Sequence, residues 1–434
     1  MKNYDVIVIG AGIMGLSAAY YCLKENPKLK ILILEKDRIP GGMAAHFNFG
    51  DISLERFYHF ICKTDIHTFK LLKSIGIQDK LRWVNTSSGY YINDKLFKFG
   101  DPISLLRFSP LSLFERFRYG VFALYCSMKR NWRDLDDIDA VTWIQKWCGK
   151  NIYTKLWNPL FKLKFHEFTN NISAAWIWSR IHRLSKSRKN MFQEELGFIE
   201  GGTETLINSL VTSLSSKNVE ILYGSDVKEI IKDGKLFKIT NKEKKNFFGR
   251  KVFSSMPLAN LPNISPSLSE ELIQKYSSID NIGVVCVVLK LNKRVTPHFW
   301  VNICNGYNIP GIIEFSNLRN FGEDNHIVYI PYYMPTSHQL WLKDNDYFWK
   351  ESFSYIQKIN SEIKTSDLNH HFVGRLQHAQ PICDPGFSKK IPDIETSLEG
   401  LFIADTCFYY PEDRGISESI NIGEQVAKKI IKDL

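Results

Sequence analysis

The sequence predicts an α/β protein in which a doubly wound sheet is interleaved with a mixed α+β unit that carries a helical subdomain. Three observations predict it. A strand, a glycine-rich turn, a helix and a second strand follow one another within the first 35 residues. Strands with a hairpin signal return at 219–254, and a last buried strand and helix close the chain after residue 399. The chain has 434 residues, and single cores stop growing near about 250–300 residues.

Residues 4–9 (YDVIVI) are a short apolar run with β-branched side chains and read as a buried parallel strand. A helix follows to about Lys24, and residues 30–35 (KILILE) read as a second strand of the same kind. From 65 to about 188 the chain reads as mostly helical. Asp101-Pro102 gives an N-cap with proline at the first helical position, and Ser112 and Glu115 have capping-box spacing. Segments 137–147 and 173–181 have helical periodicity. Within 219–254, segments 226–232 and 235–240 flank Asp233-Gly234, a two-residue hairpin signal, and 251–254 is a further short strand. Segments 282–292 and 326–333 read as strands of a second sheet, 399–405 as a buried strand and 418–433 as the final helix.

The first turn carries Gly10, Gly12 and Gly15. Gly10 permits the tight turn, Gly12 lets the backbone approach a pyrophosphate, and Gly15 lets helix and sheet pack closely. The N–H groups that open the helix, at Ile13 and Met14, then face the phosphates. Glu35, with Lys36 beside it, ends the second strand, where a carboxylate accepts hydrogen bonds from ribose hydroxyls.

After Glu35 comes the pair Gly41-Gly42, followed by Met43. Here the chain resembles the FAD-dependent superfamily of flavin amine oxidases, protoporphyrinogen oxidases and phytoene desaturases, in which such a pair lies near the flavin. Amine oxidases usually have Arg after it; Met43 is more similar to the protoporphyrinogen-oxidase-like and desaturase branches. Residues 199–206 (IEGGTETL) resemble the segment that returns the chain to the FAD domain, and Val227 matches the position whose backbone contacts the adenine. Residues 400–405 (GLFIAD) and 414–419 (RGISES) resemble the last FAD motif. The resemblance implies that Asp405 bonds the ribityl or pyrophosphate region and that Gly415 and Ile416 lie beside the flavin. It implies FAD as cofactor, a Rossmann-type, glutathione-reductase-like cofactor domain from 1–62, 195–260 and 395–434, and a substrate domain from 63–194 and 261–394.

In that frame, His59 and Arg56 lie near the expected flavin edge: His59 to shuttle a proton, Arg56 to hold an anionic group, or both as parts of a structural ion-pair cluster with packed aromatics. Arg414 either lies near the ring or pairs with Glu412 or Asp413. The aromatic segments 157–168 and 176–178 read as core rather than as site residues.

The expected function is hydride transfer between FAD and an apolar, isoprenoid or lipid-linked small molecule. Two readings compete. One is a redox-neutral nucleotide-sugar mutase resembling UDP-galactopyranose mutase, although no clear match to its arginine-rich motif is seen. The other is a non-catalytic prenyl-binding protein resembling GDP-dissociation inhibitors. Residues 105–133 interleave Leu113, Phe114, Phe117 and Leu124 with Arg107, Arg116 and Arg130. That pattern fits a peripheral membrane helix pair, or a core-facing helix with a solvated basic side.

The net charge of +10 favours anionic partners, but no nucleic-acid motif accompanies it. Eight cysteines without Cys-x-x-Cys spacing exclude a recognisable metal site and fit a reducing, cytoplasmic compartment. No apolar run approaches about 18 residues. Oligomeric state is left open.

Overall fold

The computed structural model describes residues 3–215 and 218–434. Its first sheet has the strand order Val219–Leu222, Ile31–Leu34, Asn3–Ile9, Asn246–Ser254, Leu236–Asn241, Val227–Asp233, with Leu401–Ile403 paired to Asn246–Ser254. The first four strands run parallel, as does Leu401–Ile403 on its partner. The all-apolar strand Ile31–Leu34 is fully buried, as expected of a sheet covered on both faces. The register pairs Ile9 with Leu34 on one side and with Ser254 on the other, and Ser254 with Ile403. The carboxyl ends of four parallel strands therefore lie level. Gly10, Glu35, Ser255 and the Ala404-Asp405 pair leave the sheet at one edge, the place where open α/β sheets bind ligands.

Helix Ile13–Glu25 packs along the C-terminal helix Ile416–Lys432. Contact is close enough that a Cβ on Gly423 would lie 2.7 Å from the Met14 carbonyl oxygen. The second sheet has the order Leu368–Pro381, Asn281–Leu291, His326–Met334, Gly311–Glu314, Trp300–Ile303, Ser88–Ile92, Lys95–Phe99. The helices Pro102–Leu106, Leu113–Met128, Ala140–Cys148, Asn158–Phe165 and Ala174–Lys186 form the helical part, with Trp143, Trp176 and Trp178 buried among them. Asp101, Ser112, Asp139 and Ser173 cap four of these helices through side-chain oxygens.

The reading of 65–188 as mostly helical is corrected over 81–99, which forms three strands: Leu81–Thr86, Ser88–Ile92 and Lys95–Phe99. The last two make a hairpin through Asn93 and Asp94, both at positive φ (51° and 57°). Two consecutive left-handed residues match the twist of the strands they join, and Asn and Asp tolerate that conformation. The short strand expected at 251–254 extends back to Asn246, and the last helix starts two residues earlier, at Ile416.

Candidate active site

The glycine turn forms a cradle. A Cβ on Gly15 would lie 2.0 Å from the Gly10 carbonyl oxygen, so only glycine fits there. Gly41 donates its N–H to the Ala11 carbonyl at 2.8 Å, which draws the Gly41-Gly42 pair against the turn. A Cβ on Gly42 would lie 3.2 Å from the Gly12 Cα. Met43 sits in the short turn that follows, Gly42–Ala44. Helix Ile13–Glu25 has Gly12 as its N-cap, the C-terminal helix has Gly415, and neither has a side-chain cap. Their opening N–H groups, Ile13 and Met14 in one and Ile416 in the other, are left for an external acceptor.

Two acids tie this edge together. The buried Glu35 carboxylate accepts from Ala11 N at 2.6 Å and from Asp37 N at 2.9 Å, and burial pushes its pKa up. Asp405 accepts from Leu258 N at 2.9 Å and Cys407 N at 2.8 Å. Both expected cofactor acids thus also hold the loops that frame the crevice. Lys36 is exposed, and Val227 is buried at the start of its strand.

The hairpin after the cradle, His46–Phe49 with Ile52–Glu55, places residues 55–59. Glu55 is buried, accepts from Thr203 N at 2.9 Å, and lies 3.6 Å from Arg319. Arg56 pairs with Asp37 at 2.8 Å, so it stands at the Glu35 end of the crevice rather than beside His59. His59 is part-buried, and its Nδ1 is buried without a partner among the described residues. Burial, reinforced by Arg414, pulls its pKa down to about 4, so the imidazole is neutral near pH 7. A cavity of about 20 Å³, room for one water, is lined by His59, Glu55, Thr203, Arg319 and Ile416. A larger cleft of about 360 Å³, lined by Ser88, Lys98, Arg188 and Glu194 among others, contains none of the expected site residues.

Arg414 donates to the Ala379 carbonyl at 2.8 Å and lies 3.4 Å from the Tyr333 hydroxyl. Asp413 pairs with Arg180 instead. The Tyr333 hydroxyl also meets that of Tyr58 at 3.3 Å. His59 and Arg414 are therefore brought to one region, through Tyr58 and Tyr333.

The model of flavin containing amine oxidoreductases matches residues 13–354. The chain belongs to that family. Family membership makes FAD the cofactor and flavin oxidoreduction the class of chemistry. Among solved structures, a candidate protoporphyrinogen oxidase from Exiguobacterium superposes with TM-score 0.78 at 16% identity over all of both chains. Putrescine oxidase bound to putrescine gives 0.74 at 12% over 99% of both. An oxidoreductase from Methanosarcina mazei gives 0.73 at 15% over 98% of this chain and all of that one. These likenesses show the fold. Coproporphyrinogen III oxidase of Staphylococcus aureus is 24% identical over 267 residues, 54% of this chain. The matches span 56% of that protein and 33% of a malate:quinone oxidoreductase assigned in Prochlorococcus marinus.

The residues of this family member fit a flavin dinucleotide. The Gly12 turn leaves its backbone open to a diphosphate, because Gly42 packs against it without a side chain and nothing else lies within 4 Å of a Cβ on Gly12. The two uncapped helix starts supply N–H donors. The sequence reading missed Tyr333 and Lys164. Lys164 lies between phenylalanines in 161–165 (FKLKF), a segment read as core. A lysine inside an aromatic run was the available signal.

Proposed function

We propose that the chain moves a hydride between FAD and an apolar small molecule drawn from a membrane surface. The cofactor unit comprises 1–62, 195–260 and 395–434, and the substrate unit 63–194 and 261–394. FAD, bound along the crevice, supplies the redox chemistry as hydride acceptor or donor. Gly12, Ile13 and Met14 hold the diphosphate through backbone N–H groups, and Gly15 keeps that turn closed. Glu35 sets the turn and meets the ribose, with Lys36 and Val227 beside the adenosine. Gly42, Met43, Asp405, Gly415 and Ile416 frame the ribityl and ring end. His59, neutral near pH 7, accepts or returns a proton. Arg414 orients the substrate edge, and Arg56 stabilises the cofactor end through Asp37.

The observation that carries the substrate reading is an unpartnered apolar face. Leu113, Phe114 and Phe117 are 71–72% exposed, and Leu124 and Met128 continue the stripe along the same helix. Ile103 and Leu106 extend it from the preceding helix, and Arg107 and Arg130 stand exposed at its edges. Apolar side chains rimmed by cations suit the interface of an anionic bilayer. Among the described residues no helix is long and apolar enough to cross a membrane. The test is sedimentation with phosphatidylglycerol vesicles. Binding that is lost in a Phe114→Ser, Phe117→Ser double variant supports the reading. Wild-type protein that stays in the supernatant contradicts it.

A further inference from the structure

We infer that the cation cluster of Lys164, Arg180 and Arg414 binds an oxyanion, a carboxylate or phosphate group, carried by the substrate. The inference rests on the reading above that Arg414 orients the substrate edge. Lys164 Nζ lies 4.7 Å from the centre of the Trp176 ring and 5.2 Å from that of Tyr333. Arg180 lies 4.9 Å from the Trp176 ring and Arg414 5.7 Å from that of Tyr333. Three cations thus converge on two aromatic rings.

Their balance is incomplete. Among the described residues Asp413 is the one carboxylate acting on all three cations, and it pairs directly only with Arg180. Arg414 spends its donors on a neutral carbonyl and a phenol. Lys164 has three rings beside it, those of Phe165, Trp176 and Tyr333, and, among the described residues, no ion pair within contact distance and no hydrogen-bond acceptor. Burial, then Arg180 and Arg414, push its pKa well down, with Asp413 opposing. A part-buried ammonium between two guanidinium groups is unfavourable through desolvation and like-charge repulsion. An oxyanion brought to the cluster reverses both terms, because charge-assisted hydrogen bonds from Lys and Arg are the strong ones.

The position fits a substrate. Arg414 directly precedes Gly415, the start of the C-terminal helix, and Tyr333 touches Tyr58, the neighbour of His59. An apolar molecule with an anionic end would be held by that end here while its reacting carbon faces the flavin.

The test is calorimetry on FAD-saturated protein with inorganic phosphate, hexanoate and hexyl phosphate as probes. Wild type is expected to bind, and Lys164→Met to bind at least about tenfold more weakly, the loss of one charge-assisted bond. Lys164→Arg should bind within a few-fold of wild type. Without anion, Lys164→Met should melt no lower than wild type, because an unpaired charge has been removed. Hexyl phosphate binding more tightly than inorganic phosphate identifies an amphiphile as the carrier; equal affinities identify a soluble anion. No binding to wild type, or equal binding by wild type and Lys164→Met, overturns the inference. Flavin content of the same samples is read separately. Anion binding by protein that holds no flavin would sink the flavin reading and leave the anion site standing.

Discussion

Replacing Gly12 with alanine separates the cofactor from the fold. Gly12 has φ −68°, which alanine adopts without strain. The added Cβ would meet only Gly42 Cα, at 4.0 Å. The stability of the flavin-free protein should therefore change by less than about 1 kcal/mol. The same methyl intrudes on the cradle, where a diphosphate must come within hydrogen-bond distance of the helix-start N–H groups. Each charge-assisted bond lost there removes about 1.5–3 kcal/mol, so FAD affinity should fall roughly ten- to a hundredfold per bond. Gly12→Asp adds a repelling carboxylate and should leave no bound FAD. Gly15→Ala is the contrast. Its Cβ would lie 2.0 Å from a backbone oxygen, so the turn itself must move, at about 1–3 kcal/mol or more. The assay combines FAD per chain from absorbance, a fluorescence titration of the flavin-free protein, and melting with and without FAD. The expected pattern is an unchanged flavin-free melting temperature with weakened FAD binding for Gly12→Ala, and a lowered melting temperature for Gly15→Ala. Stoichiometric, tightly held FAD in Gly12→Ala would refute the reasoning.

Other predictions concern single groups. His59 has a folded-state pKa of about 4, below the unfolded value of about 6.5. The unfolded chain therefore binds the extra proton between those values, and the stability due to neutral His59 is full above pH 6.5 and lost as pH falls toward 4. Between pH 7 and pH 5, wild type should lose about 2 kcal/mol more than His59→Gln in urea melts; identical losses would show that the imidazole is not held neutral. Glu55→Ala strands Arg319 and uncaps Thr203 N, and should lower stability by about 3–5 kcal/mol; a change under about 1 kcal/mol would show that the pair is idle. Phe114→Ser with Phe117→Ser should weaken vesicle binding by about 3 kcal/mol, a hundredfold, with an unchanged melting temperature, since both rings are exposed. A lower melting temperature would instead mark them as packed.

The glycine-turn edge of the sheet was legible because its physics is local. A strand, three spaced glycines and an acid at the end of the next strand need only each other, and Ile9, Leu34, Ser254 and Ile403 come level through simple parallel pairing. Helix caps were equally plain: Asp101 and Ser112 each bond an N–H three residues on. The hairpin at 93–94 went unread because Asn-Asp is a weaker signal than Asn-Gly, and the aromatic run around it resembled its helical neighbours. The region around Tyr58, Tyr333 and Arg414 was less legible because it is assembled across distance. Tyr58 meets Tyr333, 275 residues away, and Arg56 finds Asp37 across the hairpin. Arg414 had two acids beside it in sequence, and its guanidinium bonds neither; it reaches Ala379 and Tyr333 instead. Spacing along the chain carries no information on such pairings.

The most direct measurement is a crystal structure of the protein purified with its own flavin. The diphosphate is expected on the N–H groups that follow Gly12, and the ring system between Tyr58-His59 and the start of the helix at Ile416. Density for the dinucleotide in another cleft, with side chains covering the N–H groups that follow Gly12, would contradict it.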